Sequence, residues 1–257
     1  MANAPRLVPV LDVKGGVVVR AVAGRREGYR PVVSTLTTST EPAVVAAALR
    51  AAAGTTELYV ADLDAITGGG GLSPAVAGIL DSATGPVWLD AGFGPRHDVI
   101  DLPPSPHLRP VVGFETCRTP DFLREFTFSP CSQTLGFSID LRAGELVGNW
   151  GAWGVGDRRD ALGVARVAVG LGVRTLIVLD LARVGTGTGS GTEELLAAIR
   201  TEFPRVELIV GGGVRNFDDV NQLGAAGADA VLVASALHDG TLTSPRPAAP
   251  PPAPPPS

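Results

Sequence analysis

The sequence predicts a single (β/α)8 barrel, and three observations predict it. Eight short apolar runs alternate with segments patterned as helices, the order that builds a parallel sheet. Most of these runs stop at an aspartate or a glycine-rich turn, where a loop begins. The second half of the chain also repeats landmarks of the first: Val10-Leu11-Asp12-Val13-Lys14-Gly15-Gly16 returns as Ser138-Ile139-Asp140-Leu141-Arg142-Ala143-Gly144. Eight strand–helix units in 257 residues fit a closed barrel. An open doubly wound sheet is the alternative, but no GxGxxG fingerprint follows the first run to favour it.

The elements follow in order. Residues 7–11 are the first strand, Gly15-Gly16 turns the chain, and 17–22 form a short extension before a charged loop at 24–31. Residues 41–53 are Ala-rich and helical, with Thr40 as the expected N-cap. The second strand, 58–63, runs into the glycines of 68–71, and 74–82 is the next helix. Strand three, 86–89, leads to Asp90-Ala91-Gly92-Phe93-Gly94, and strand four, 108–112, to Gly113-Phe114-Glu115-Thr116.

The alternation then restarts. Strand five is 134–139, a helix covers 160–171, and strand six, 175–179, ends at Asp180 before Gly185, Gly187, Gly189 and Gly191. A helix at 192–203 precedes strand seven, 206–210, and Gly211-Gly212-Gly213. The helix 217–226 precedes strand eight, 230–233, and Ala234-Ser235-Ala236. Half-barrels of about 6–130 and 131–240 are expected, with Asp12 and Asp140 on opposite sides of the mouth. Residues 241–257, mostly Pro and Ala toward the end, are expected to form a disordered tail.

Composition excludes several function classes. A net charge of −5, without a basic run, argues against nucleic acid as a partner. No run approaches the ~18 apolar residues of a membrane span, and no signal-peptide pattern precedes the first strand, so a cytoplasmic protein with no membrane partner is expected. Cys117 and Cys131 form no CxxC pattern and read as reduced thiols. His97, His107 and His238 lack metal-ligand spacing. No metal and no cofactor are expected. Oligomeric state is open, with a monomer favoured.

These landmarks give a resemblance. Asp12 and Asp140, the Asp62-Leu63-Asp64 stretch, Gly211-Gly212-Gly213 and Ala234-Ser235-Ala236 make the chain similar to the duplicated phosphoribosyl-binding barrels of histidine biosynthesis. These are the phosphoribosylformimino-aminoimidazole carboxamide ribotide isomerase and the cyclase part of imidazole-glycerol-phosphate synthase. The resemblance spans residues 6–240. The stretches 24–31 and 112–116 look like a related branch found with methanopterin-linked one-carbon metabolism.

The resemblance implies an enzyme acting on a small phosphorylated substrate. Asp12 and Asp140 would be the acid–base pair of an Amadori-type, aldose–ketose isomerisation: one carboxylic acid protonates the ring oxygen, the other carboxylate takes the C2 proton. The plainer reading is that strand-end aspartates cap helices; the barrel mouth favours catalysis. Gly211, Gly212, Gly213, Ala234 and Ser235 would bind a phosphate, glycine letting backbone N–H groups come close. A weaker second phosphate site would use Gly92, Gly94, Gly113 and Thr116, although Asp90-Ala91 stands where the family has glycines. Lys14, Asp62, Trp150 and Asp180 are possible substrate contacts, with packing or loop-holding as the alternative. The family's Thr and Asp after strand six are replaced by Leu179 and Val184. That leaves open another phosphorylated substrate of one-carbon cofactor assembly, or a non-catalytic phospho-ligand binder.

Overall fold

The computed structural model describes residues 4–24, 28–68, 71–94, 105–127 and 134–242. Residues 243–257 of the expected tail, Cys131, His97 and part of the 24–31 loop lie outside the described residues, whereas Leu242, expected in the tail, is buried against the barrel. In chain order the strands are β1 (Arg6–Lys14), β2 (Val17–Arg20), β3 (Arg30–Pro31), β4 (Leu58–Asp62), β5 (Val87–Asp90), β6 (Leu108–Gly113), β7 (Gly136–Arg142), β8 (Glu145–Leu146), β9 (Thr175–Asp180), β10 (Glu207–Gly211) and β11 (Ala230–Val233). Strands β1, β4, β5, β6, β7, β9, β10 and β11 are parallel neighbours, and β11 pairs back onto β1 to close the barrel. The helices are α1 (Pro42–Ala53), α2 (Leu63–Gly68), α3 (Pro74–Asp81), α4 (Pro120–Thr127), α5 (Ala161–Gly170), α6 (Glu193–Glu202), α7 (Phe217–Ala225) and α8 (Ser235–His238).

Successive side chains alternate between the two faces of each strand, and the core is split accordingly. Val8, Tyr59, Trp88, Val111, Ile177, Ile209 and Leu232 pack inside the barrel. Leu11, Val60, Leu89, Ile139, Leu176 and Val210 face outward, in one cluster with Val45 and Leu49 of α1 and Leu196 and Ile199 of α6. The N-terminal end of the barrel is plugged by polar side chains. Glu57 accepts from Arg6 Nε at 2.8 Å and from Trp88 Nε1 at 2.6 Å. Glu207 accepts from Thr175 Oγ1 at 2.7 Å and pairs with Arg6. Every member of this plug has a partner, as buried polar groups require.

Four local expectations are corrected. The first strand does not stop at Asp12: β1 runs on to Lys14 because β2 folds back on it, pairing Val19 with Asp12. Strand β8 stands to β7 in the same way, pairing Leu146 with Leu141, so Asp140 also lies within its strand. Thr40 is not the N-cap of α1; Glu41 is, without a side-chain cap bond. Pro42 supplies a preset first turn, and the Thr40 carbonyl instead accepts the Val18 amide at 2.9 Å. The second strand ends before Leu63, where α2 starts, because Asp62 Oδ1 takes the Ala65 amide at 3.2 Å. Helix α4 was not expected at all, although Leu123 and Phe126, three residues apart, form its buried face.

Candidate active site

A cavity of about 460 Å³ opens at the C-terminal mouth of the barrel, large enough for a small ligand. Its floor is apolar, with Val10, Ala61, Leu179 and Leu232, and its walls carry both signs of charge: Asp12, Asp90 and Glu115 against Arg20, Arg142 and Arg215. Leu179 and Val184, where the resemblance leads one to expect polar groups, both line it.

The register decides which side chains reach the centre. Asp12 lies opposite Ala61, and Ala61 opposite Asp90. On the other side Asp140 lies opposite Leu179, and Leu179 opposite Gly211. Asp12 lines the cavity, half-buried. Asp140 is not among the lining residues and is 8% exposed. Its Oδ1 accepts from Ser138 Oγ at 2.6 Å and its Oδ2 from the Glu115 amide at 3.3 Å. Glycine at 113 gives the carboxylate room, since a Cβ there would lie 3.1 Å from Asp140 Oδ2. Burial pushes the Asp140 carboxyl up to about 7; the Ser138 bond and the Glu115 amide oppose that rise, and the charges of Asp90 and Glu115 add to it. A carboxyl held near neutrality can give or take a proton at working pH.

Tyr59 is a residue that sequence reasoning missed. It lines the cavity with its ring buried and hydrogen-bonds Asp90. Burial, then the charges of Asp90, Asp140 and Asp12, hold its phenol well above its ordinary range. The available signal was an aromatic residue in the aliphatic run Leu58-Tyr59-Val60-Ala61, on the inward alternation.

The expected phosphate residues divide. Gly212 and Gly213, with Ala234 and Ser235, line the cavity. Gly211 does not; it ends β10 packed against Leu232 and Leu179. Gly212 has φ +100° and a Cβ there would meet Asp180 O at 2.9 Å, so only glycine fits without strain. Gly213 O accepts the Gly189 amide at 2.9 Å, tying the loop after β9 to this turn. Arg215 also lines the cavity and is held by Asp219, with Nε and Nη2 at 2.8 and 2.6 Å from its two oxygens. Neither Arg215 nor Arg20, which is clamped bidentately by Asp239 at 2.8 and 2.6 Å, was expected here from the sequence.

Among the described residues the other half-site stands off this cavity. None of Gly92, Gly94, Gly113 and Thr116 lines the cavity. Thr116 Oγ1 donates to Phe93 O and Gly113 O, both at 3.1 Å. A Cβ on Gly92 would lie 2.8 Å from the Ile66 backbone. Residues 95–104, which follow Gly94, lie outside the described residues.

Lys14, Asp62, Trp150 and Asp180 also stand away from the lining. Asp62 accepts the amides of Ala65 and Ser73 at 3.2 and 2.8 Å. Asp180 accepts those of Ala143 and Gly144, both at 3.0 Å, and holds the β7–β8 turn. Asp64 holds the β1–β2 turn through the Gly15 amide at 2.6 Å. Trp150 packs partly buried against the outer core, whereas Trp153 stacks on Phe137 at 5.2 Å and donates to Cys117 O.

A strap crosses the mouth. The Ala23 amide donates to Val184 O at 2.8 Å, and Arg142 Nη1 to Ala23 O at 3.3 Å. The loop after β2 thereby meets the loop after β9. Among the described residues no three metal-ligating side chains gather, and no helix is long and apolar enough to cross a membrane.

Comparison with known proteins adds a lineage to this geometry. Residues 6–243 match the family model described as histidine biosynthesis protein. The chain is 32% identical over 238 residues to the 1-(5-phosphoribosyl)-5-((5-phosphoribosylamino)methylideneamino)imidazole-4-carboxamide isomerase of Thermus thermophilus, covering 92% of this chain and 96% of that one. It is 29% identical over 241 residues to the isomerase of the same name from Deinococcus radiodurans, covering 94% and 97%. An uncharacterized protein of Methanocaldococcus jannaschii is 29% identical over 240 residues, covering 92% and 95%.

Proposed function

This chain belongs to the histidine biosynthesis protein family, and on that premise we propose that it is an isomerase of a phosphorylated sugar-amine, with Asp12 and Asp140 as its acid–base pair. The observation that carries the reading is Asp140, a buried carboxyl pushed up to about 7 beside a cavity that Asp12 lines. Two carboxyls in different environments take different protonation states, which an aldose–ketose rearrangement needs. Asp140, the more buried, serves as the acid toward the sugar ring oxygen. Asp12 removes the C2 proton as the base. Gly212, Gly213, Ser235 and Arg215 receive the phosphate. No resident cofactor enters this scheme.

A second reading is supported by Leu179, Val184 and Asp90 together. Two apolar side chains and a carboxylate line the cavity where the family resemblance leads one to expect polar groups and glycines. They favour a phosphorylated substrate other than the doubly phosphoribosylated imidazole carboxamide in the relatives' name, as in one-carbon cofactor assembly. The test is growth rescue of an auxotroph lacking the histidine-pathway isomerase, with turnover of that compound by the purified chain. Growth and turnover, both lost in Asp12→Asn, support the first reading. Neither, from a folded protein, supports the second.

A further inference from the structure

Tyr59 and Asp90 are among the polar residues of the cavity that the scheme above does not use. Tyr59 lies opposite Val10 and Trp88 in the ladder, one inward position below Ala61, and Asp90 lies opposite Ala61. Asp90 is held from two sides, by the Tyr59 hydroxyl and by the Gly92 amide, 3.0 Å from Oδ1. Asp90 lines the cavity with these donors beside it. In the eight-strand order β5 is third and β10 seventh, so Asp90 stands across the barrel from Gly212, Gly213 and Arg215.

We propose that Asp90, positioned by Tyr59, selects the end of the ligand remote from the phosphate, accepting from an ammonium in preference to a hydroxyl and rejecting a second phosphate. The substrate class is thus a sugar monophosphate carrying an amine. A carboxylate offers about four lone-pair sites and no donor, so it matches an ammonium and repels a phosphate dianion. Asp12 and Glu115 line the same cavity, as do the cations Arg20, Arg142 and Arg215, of which Arg20 is held by Asp239 and Arg215 by Asp219. The inference rests on the phospho-ligand reading of the Gly212–Arg215 side, and the experiment separates the two.

The full chain is titrated calorimetrically with inorganic phosphate, glucose 6-phosphate, glucosamine 6-phosphate and glucose 1,6-bisphosphate. Glucosamine 6-phosphate should bind about tenfold or more tighter than glucose 6-phosphate, the scale of one charge-assisted hydrogen bond, and the bisphosphate should gain nothing over the monophosphate. Asp90→Asn should erase the amine preference and leave affinity for inorganic phosphate unchanged. Tyr59→Phe, which keeps the ring and its packing, should reduce the preference and move its acid edge to higher pH. Equal binding of amino and hydroxyl sugars, or a preference that survives Asp90→Asn, overturns the inference while phosphate binding stands. Binding of inorganic phosphate without any of the sugars overturns it too. Failure of inorganic phosphate and all three sugars to bind overturns the phospho-ligand reading, and this inference with it.

Discussion

Ser138 Oγ lies 2.6 Å from Oδ1 of Asp140, two residues along the same strand and on the same inward face. The hydroxyl donates to a carboxylate whose burial favours the protonated form, so it lowers what burial raises. Ser138→Ala should therefore push the Asp140 carboxyl above its value of about 7. If Asp140 acts in its acid form, the alkaline limb of kcat/KM should move to higher pH. A limb that stays in place or moves down would remove Asp140 from the acid role.

Asp12→Asn and Asp140→Asn should each lower kcat by at least ~10²-fold, as loss of a general acid or base does. Ligand affinity should change little. Steady-state turnover with parallel calorimetry separates the two quantities.

Asp140→Asn should also stabilise the fold above neutral pH. The folded-state carboxyl titrates near 7 instead of the usual 3.8, so the unfolded chain releases this proton first. Stability is lost as pH rises from about 4 to 7, and the loss is complete above 7. Removing the titrating group should recover on the order of 2 to 4 kcal/mol at pH 8 and almost nothing at pH 3. Denaturant unfolding of both proteins at the two pH values checks this.

Gly185 carries φ +70°, and a Cβ there would lie 2.3 Å from Ala21 O. Gly185→Ala should break the strap between the loops after β2 and β9. Ligand dissociation should quicken, the Ala23 amide should exchange faster, and the melting temperature should hardly move, because the strap lies outside the core. A large fall in melting temperature would mark the contact as part of the fold and not of the cover.

Gly212→Ala should weaken binding of inorganic phosphate by about tenfold or more, through the strain of a left-handed backbone and the approach to Asp180 O. Gly94→Ala should leave it unchanged, since Gly94 stands off the cavity. Comparable losses in both variants would mean that both half-barrels grip phosphate.

The barrel was legible because its signals are local. Apolar runs such as Leu176-Ile177-Val178 and glycine turns such as Gly211-Gly212-Gly213 carry their meaning within a few residues. The hairpin extensions were harder to read, because Lys14 and Arg142 end their strands only through partners folded back from β2 and β8. Tyr59 was overlooked for a related reason: its significance depends on Asp90, thirty-one residues later, reached only across the ladder.

By itself the sequence determined the order of elements, the eight-strand count and the family, all consequences of pattern and composition along the chain. Only the tertiary structure decided which of the strand-end acids line the cavity. Asp12, Asp62, Asp140 and Asp180 follow similar apolar runs, yet Asp12 lines the cavity while Asp62 and Asp180 hold backbone amides outside it. The reason is the alternation of strand side chains: Asp62 lies opposite Val13 and Asp180 opposite Leu141, each one step past an inward-facing aspartate. One residue of register turns a carboxylate from the centre of the barrel to its wall, and only closure of the sheet sets that register.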